Sequence, residues 1–350
     1  MPRLTAIATA VPPYAINQNE AKVFARQVFG SRFTDIDRLL PLFDNAGIHT
    51  RYFSVPAEWF GEEHSFEEKN QIYIQSATAL GTQASTDLMK KTGITSGDID
   101  YIIYINTTGL ATPSIDARLI NTLSLRHDVR RTPIWGLGCA GGAAGLAHAY
   151  HYLLGHPGHR VLLVAIELCG LTFIRNDYSK SNLTACALFG EGAAAALLCG
   201  DDVKSEGIEI LSTQSTFYPD SLNIMGWNIV SRGMQVVFDK RIPDVVAAHS
   251  AQELDSFLAK NGLGRGDIGH FLYHPGGMKV VQAYETAYSV NGDRFALPRE
   301  ILRDYGNMSS VTALFVVERY LAKYGLGNPG HAVISALGPG FCSESLLVKL

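Results

Sequence analysis

The 350 residues, 47% hydrophobic and 18% charged with 34 glycines, have the balance of a compact α/β protein with a large core, which excludes a small module or a disordered chain. A formal net charge of -4 offers no basic field for phosphate backbones, so nucleic acid is not an expected partner. Five cysteines (139, 169, 186, 199, 342) form no C-x-x-C pair, which argues against a disulfide framework or structural zinc and for a reducing, cytoplasmic setting.

Residues 4–11 are apolar but are stopped by Pro12-Pro13, and are read as a first strand, not a signal peptide. The longest apolar runs, such as 161–166, fall far short of the roughly 20 residues that span a bilayer. A helical stretch over 84–91 leads through Gly93-Ile94-Thr95-Ser96-Gly97-Asp98-Ile99 into a β-branched and aromatic strand at 101–105. The same order returns later. A helix over 251–260 leads through Gly262-Leu263-Gly264-Arg265-Gly266-Asp267-Ile268 into a strand at 270–273, an offset of 169 residues (262 − 93).

Between these copies, Trp135-Gly136-Leu137-Gly138-Cys139-Ala140-Gly141-Gly142 opens a small-residue helix over 141–154, followed by an apolar strand at 161–166. Asn307 precedes a helix over 309–324 and a strand at 331–336, an offset of 168 (307 − 139). Both helices end near glycines, 155 and 158 or 325 and 327. Two offsets that agree imply two halves built alike, with a boundary near 200–202 and, from the alternation, largely parallel sheets under helices. Corresponding turns then meet across a pseudo-twofold axis, and Cys139, His274 and Asn307 all stand at such turns or strand ends.

A cysteine at a helix N-terminus among glycines is suited to nucleophilic chemistry, because the helix dipole favours thiolate and the backbone N–H groups can hold a thioester oxyanion. His274, in Tyr273-His274-Pro275-Gly276-Gly277, has the proton chemistry to serve it, although a capping role is the plainer reading of a lone histidine. Asn307 alone reads as a turn or N-cap residue. Gly136, Gly138 and Gly141 also fit a dinucleotide loop, but the first acidic residue, Glu167, comes 28 residues after Cys139 (167 − 139), too late for that fingerprint. His148, His151, His156 and His159 lack a completing carboxylate or thiol, so no metal is expected.

Together Gly138-Cys139-Ala140-Gly141-Gly142, Ala187-Leu188-Phe189-Gly190-Glu191-Gly192, His274-Pro275-Gly276-Gly277, Gly306-Asn307-Met308-Ser309-Ser310 and Gly338-Pro339-Gly340 carry a full-length resemblance to the type III polyketide synthases. This is the chalcone synthase-like branch of the thiolase superfamily, here similar to its bacterial alkylpyrone and alkylresorcinol type. The resemblance implies a homodimer of five-layered αβαβα subunits with two pseudo-duplicated halves, residues 1–200 holding the nucleophile and 201–350 the histidine and asparagine. It implies Cys139, His274 and Asn307 as catalytic triad, with a Cys139 thiolate stabilised by a His274 imidazolium. The substrates it implies are acyl-CoA and malonyl-CoA, without a separate cofactor. Phe189 matches the gatekeeper between CoA tunnel and cavity; Val236 stands where plant enzymes have a second phenylalanine. Thr107, Thr172 and Gly226 match lining positions, and Ser309, Gly338 and Gly340 further substrate-binding ones. Of three cations that contact CoA phosphates in the plant enzymes only Arg38 is kept, the others reading Pro41 and Asn45. Loss of the aromatic wall at Val236 suggests aliphatic starters, extended repeatedly and cyclised to a pyrone or resorcinol. The nearest rival is 3-oxoacyl-acyl-carrier-protein synthase III, a single condensation with a carrier-bound malonyl unit, which carries a different motif at the 274–277 position.

Overall fold

A computed structural model describes residues 1–30, 32–33, 35–326 and 329–350; Gly327, read above as a helix end, lies outside the described residues. Its strands are β1 (Arg3–Ala10), β2 (Tyr14–Asn17), β3 (Thr50–Phe53), β4 (Tyr101–Asn106), β5 (Arg130–Trp135), β6 (Arg160–Leu168), β7 (Glu191–Cys199), β8 (Ile208–Phe217), β9 (Met225–Val230), β10 (Gly233–Phe238), β11 (Ile268–Tyr273), β12 (His331–Gly338) and β13 (Cys342–Lys349). The helices are α1 (Gln18–Phe29), α2 (Ile36–Leu39), α3 (Pro41–Asn45), α4 (Phe66–Thr92), α5 (Ile115–Thr122), α6 (Gly141–Gly155), α7 (Lys180–Leu188), α8 (Ile242–Lys260), α9 (Met278–Tyr288), α10 (Ala296–Tyr305) and α11 (Ser310–Tyr324).

Nine strands join in the order β11-β12-β13-β8-β1-β7-β6-β4-β5. The order is nearly palindromic about the β8–β1 junction: β4, β6, β7 and β1 on one side answer to β11, β12, β13 and β8 on the other. Across the junction Arg3 pairs with Glu209 and Leu4 with Ile208, and the Ile210 N–H donates to Pro2 O at 3.0 Å. The repeated turns fold alike in detail. Gly93 and Gly262 both take φ +71°, and Asp98 and Asp267 each accept a backbone N–H three residues upstream, from Thr95 and Gly264, at 2.8 Å.

The sheet is mixed, which corrects the expectation of largely parallel strands. Only β4 with β5 and β6, and β11 with β12, run parallel. A parallel return needs a crossover long enough to hold a helix against the sheet. Between β12 and β13 lie only residues 339–341, so that pair is antiparallel. Between β6 and β7 the chain is long enough, but α7 leaves the sheet to pack against α1, α3 and β10. That diverted helix builds the site.

Five layers result, α4 and α5 outside the first half, its strands, α6 with α11 in the centre, the strands of the second half, and α8 with α9 outside. The central layer is buried from both sides, with Ile105, Leu163, Leu314 and Ile334 in one core cluster. Burying α6 so deeply explains its small residues: a Cβ at Gly142 would lie 2.2 Å from Ser310 O, and one at Gly145 2.2 Å from Ile105 Cδ1. No helix among the described residues is long and apolar enough to cross a membrane.

Candidate active site

Cys139 lies in a single 3-10 turn, Gly138–Ala140, joining β5 to the N-terminus of α6. Gly138 takes φ +48°, and a Cβ there would sit 2.6 Å from Pro339 Cδ. A Cβ at Gly338 would in turn meet Leu137 O at 2.4 Å. The two glycine turns therefore pack against each other and need glycine on both sides. Of the three glycines that also fit a dinucleotide loop, Gly138 and Gly141 thus serve close packing, and Gly136 serves a turn at φ +96°. Thr107 Oγ1 accepts the Gly138 N–H at 3.0 Å, fixing the turn from the end of β4.

Asn307 approaches from the other half. Its N–H donates to Leu188 O (2.8 Å) and its carbonyl accepts Gly190 N–H (2.9 Å), so Asn307 and Phe189 form an isolated parallel bridge. The side chain is fixed as firmly. Oδ1 accepts Ser309 N–H at 2.8 Å, and Nδ2 donates to Gly276 O at 3.0 Å, leaving one Nδ2 hydrogen for a ligand. Ser309 has φ +49°, the left-handed region that costs a non-glycine residue about 1–3 kcal/mol. The strain places its N–H on Asn307 and starts α11.

The Cys139 thiol points towards Asn307 Oδ1 at 3.9 Å. His274 ends β11, its N–H held by Ser335 O at 2.8 Å, and neither ring nitrogen has a hydrogen-bonding partner among the described residues. Cys139, His274 and Asn307 are all buried. Burial pushes the thiol up to about 12 and the imidazole down to about 3. Desolvation penalises the charged form of each group and so opposes the helix dipole that favours thiolate at this position.

Glu167 was noted in the sequence only for being too far from the glycines. It is fully buried behind Cys139. Its Oε2 accepts Thr107 N–H (2.9 Å) and the Thr108 hydroxyl (2.8 Å), and its Oε1 the Ser310 hydroxyl (2.7 Å), tying β4 and α11 to the end of β6. Burial outweighs these donors and raises the carboxyl to about 7.

Phe189, bridged to Asn307, packs in one cluster with Val236 and Cys169, and Trp227 stands 6.1 Å from the Phe189 ring. An apolar cavity of about 90 Å³ opens there, lined by Cys169, Thr172, Phe173, Phe189 and Val236 among others. Its far end, at Glu20, Phe24 and Ala57, is shared with a broad surface groove along α1. Gly226 lies opposite Val237 in the β9–β10 hairpin, 3.9 Å in Cβ terms from Pro339, and Gly340 lies against Phe217. Arg38 is not brought to this cavity: it is exposed on α2 and pairs with Asp35 at 3.4 Å.

Comparison with known proteins agrees with this arrangement. Residues 2–202 match the model of the N-terminal domain of chalcone and stilbene synthases, and residues 209–350 that of the C-terminal domain. The chain is 41% identical to a putative chalcone synthase of Bacillus subtilis (strain 168), over 98% of this chain and 97% of that protein. It is 37% identical to a 1,3,6,8-tetrahydroxynaphthalene synthase of Streptomyces peucetius subsp. caesius, over 99% and 92%. The crystal structure of 1,3,6,8-tetrahydroxynaphthalene synthase from Streptomyces coelicolor A3(2), a bacterial type III polyketide synthase, superimposes with a TM-score of 0.95 at 27% identity, covering 99% of each chain.

Proposed function

The chain belongs to the chalcone and stilbene synthase family and is a type III polyketide synthase, an acyltransferase that condenses malonyl-CoA, and on that premise we propose that Cys139, His274 and Asn307 carry the reaction. As a starter acyl-CoA enters, the Cys139 proton passes to His274 and the thiolate attacks the thioester carbonyl. The C–S bond to CoA breaks, and the CoA thiolate takes the proton back from His274. Malonyl-CoA then loses CO2, and the electron pair of the broken C–C bond becomes an enolate. A neutral His274 N–H and the free Asn307 Nδ2 hydrogen donate to the enolate oxygen, in a site whose burial strengthens both bonds. The enolate carbon attacks the acyl-cysteine, Cys139 leaves as thiolate, and the chain is two carbons longer. Repetition and ring closure to a pyrone or resorcinol complete the proposal.

The observation that carries this reading is the Asn307 amide, oriented by Ser309 and Gly276 and aimed with one spare hydrogen beside a helix-N-terminal cysteine. Incubation with malonyl-CoA and a panel of acyl-CoA starters, followed by mass spectrometry, tests it. Products lengthened by several ketide units without any carrier protein support it. A single extension that needs a carrier protein would overturn it.

Support for an aliphatic starter comes from the cavity beside Phe189 and Val236, apolar and continuous with the α1 groove. Filling the wall should shorten the acceptable chain. Val236→Phe is expected to lower kcat/KM for long acyl starters at least about 10-fold relative to short ones, since excluded methylenes are worth about 1–3 kcal/mol. An unchanged ratio in competition assays counts against the cavity as the acyl site.

We also propose that the enzyme works as a homodimer in the cytoplasm. All five cysteines are free, and β5 is an edge strand whose Arg130, Arg131, Pro133 and Trp135 face outward, Trp135 with 47% of its surface exposed. An uncovered edge of this kind invites a second copy. Sedimentation equilibrium is expected to give twice the subunit mass. A stable monomer at micromolar concentration would contradict the proposal.

A further inference from the structure

Arg51 is among the most buried side chains in the molecule, 2% exposed, and forms no ion pair among the described residues. Burial lowers it to about 10, so it stays cationic at neutral pH. An unneutralised buried guanidinium needs a reason. Its Nη1 donates to two carbonyls, Cys186 O at 2.7 Å and Phe189 O at 2.8 Å, at the C-terminal end of α7. A helix leaves its last four carbonyls without intrahelical partners and concentrates negative charge there. Here each of the four is accounted for. Arg51 takes 186 and 189, Gln18 Nε2 takes Ala187 O at 2.9 Å, and the Asn307 N–H takes Leu188 O at 2.8 Å.

One helix end thus anchors the Phe189 carbonyl and the Asn307 backbone together, with Arg51 between them. Its stem also fixes the turn before Asn307. A Cβ at Gly306, which has φ +71°, would lie 2.7 Å from Arg51 Cγ and 2.8 Å from Cδ, so the turn is moulded against the arginine. We propose that Arg51 is a positioning residue that holds Asn307 and Phe189 in register for malonyl decarboxylation and chain entry, acting through the α7 terminus and the Gly306 turn. The inference rests on the role given to Asn307 above.

The test separates decarboxylation from acylation. Malonyl-CoA decarboxylation depends on Asn307, whereas loading of a starter onto Cys139 does not pass through it. In folded Arg51→Met, decarboxylation is expected to fall roughly 10- to 100-fold, the cost of a misplacement near 1 Å, while single-turnover acylation of Cys139 stays within about 3-fold. Arg51→Lys keeps the cation and is expected to restore part of the loss; it also serves if the methionine variant does not fold. Gln18→Met removes a different donor from the same helix end and is expected to lower Tm without altering the ratio of the two rates. If the lysine variant loses both rates in proportion, or Gln18→Met shifts the ratio as much, Arg51 is only structural and the proposal falls. Asn307→Ala is run alongside. Should decarboxylation survive that change, the Asn307 reading itself fails; should it be lost there but kept in the Arg51 variants, only the present inference does.

Discussion

Cys139→Ala is expected to abolish chain extension, by a factor of about 10⁴ or more, while the protein still decarboxylates malonyl-CoA. The two halves of the result follow from different residues. Extension needs a covalent acyl carrier, and Cys139 stands alone at the α6 N-terminus in the turn braced by Thr107 and Pro339. Removing a nucleophile costs the whole covalent route, which in other enzymes reaches factors of 10⁴ to 10⁶. Decarboxylation needs only hydrogen-bond donors for the enolate oxygen, and the alanine leaves those in place. A small side chain at position 139 is also tolerable for the fold, because the surrounding turn is held by backbone and glycine contacts. The pH profile of the residual reaction adds a sharper reading. Burial holds His274 near 3, below its usual 6.5, so the ring stays neutral as pH falls through 6.5 and protonates only well below it. The residual decarboxylation is therefore expected to be flat from pH 8 to about 5. A fall centred near 6.5 would show that the ring titrates as an exposed histidine.

Asn307→Ala carries the second large effect. Its remaining Nδ2 hydrogen is one of two donors assigned to the enolate, and losing one preorganised donor costs about 10²–10³ in rate, or roughly 2.7–4 kcal/mol. Loading of the starter is expected to be little changed, since the thiol and His274 remain. Asn307→Asp probes the same bond from the other side. The carboxylate keeps Oδ1 for Ser309 but brings negative charge towards the enolate and removes the donor, so it is expected to be at least as damaging as alanine. Equal loss of acylation and decarboxylation in a folded Asn307→Ala protein would refute this division of labour.

Much of this was legible in the chain. Nearly equal offsets, 169 residues from Gly93 to Gly262 and 168 from Cys139 to Asn307, foretold two similar halves, because a turn that needs φ +71° keeps its glycine in both copies. Strand direction was not legible. Hydrophobic patterns record burial and are the same read forwards or backwards, so the antiparallel returns of β7 and β13 had to come from the lengths and destinations of their connections. Cys139, His274 and Asn307 stood out as three separate turn residues, and the family motifs joined them. Glu167 and Arg51 were not visible, for a common reason. Their partners, Thr107 and Ser310 for one and Cys186 and Phe189 for the other, lie 60 or more residues away in the chain. No local pattern announces a side chain whose purpose is to tie distant backbone together. Helix-dipole stabilisation of a thiolate is evident from a motif, whereas the depth of burial that opposes it is not.

The central claim is that Cys139 carries the growing acyl chain. Intact-protein and peptide mass spectrometry after brief exposure to an acyl-CoA starter, with malonyl-CoA left out, measures it directly. One acyl group per subunit is expected, on the peptide containing Cys139, and it should disappear when malonyl-CoA is added. An acyl group on any of the other four cysteines, or an adduct that persists in Cys139→Ala, would contradict it.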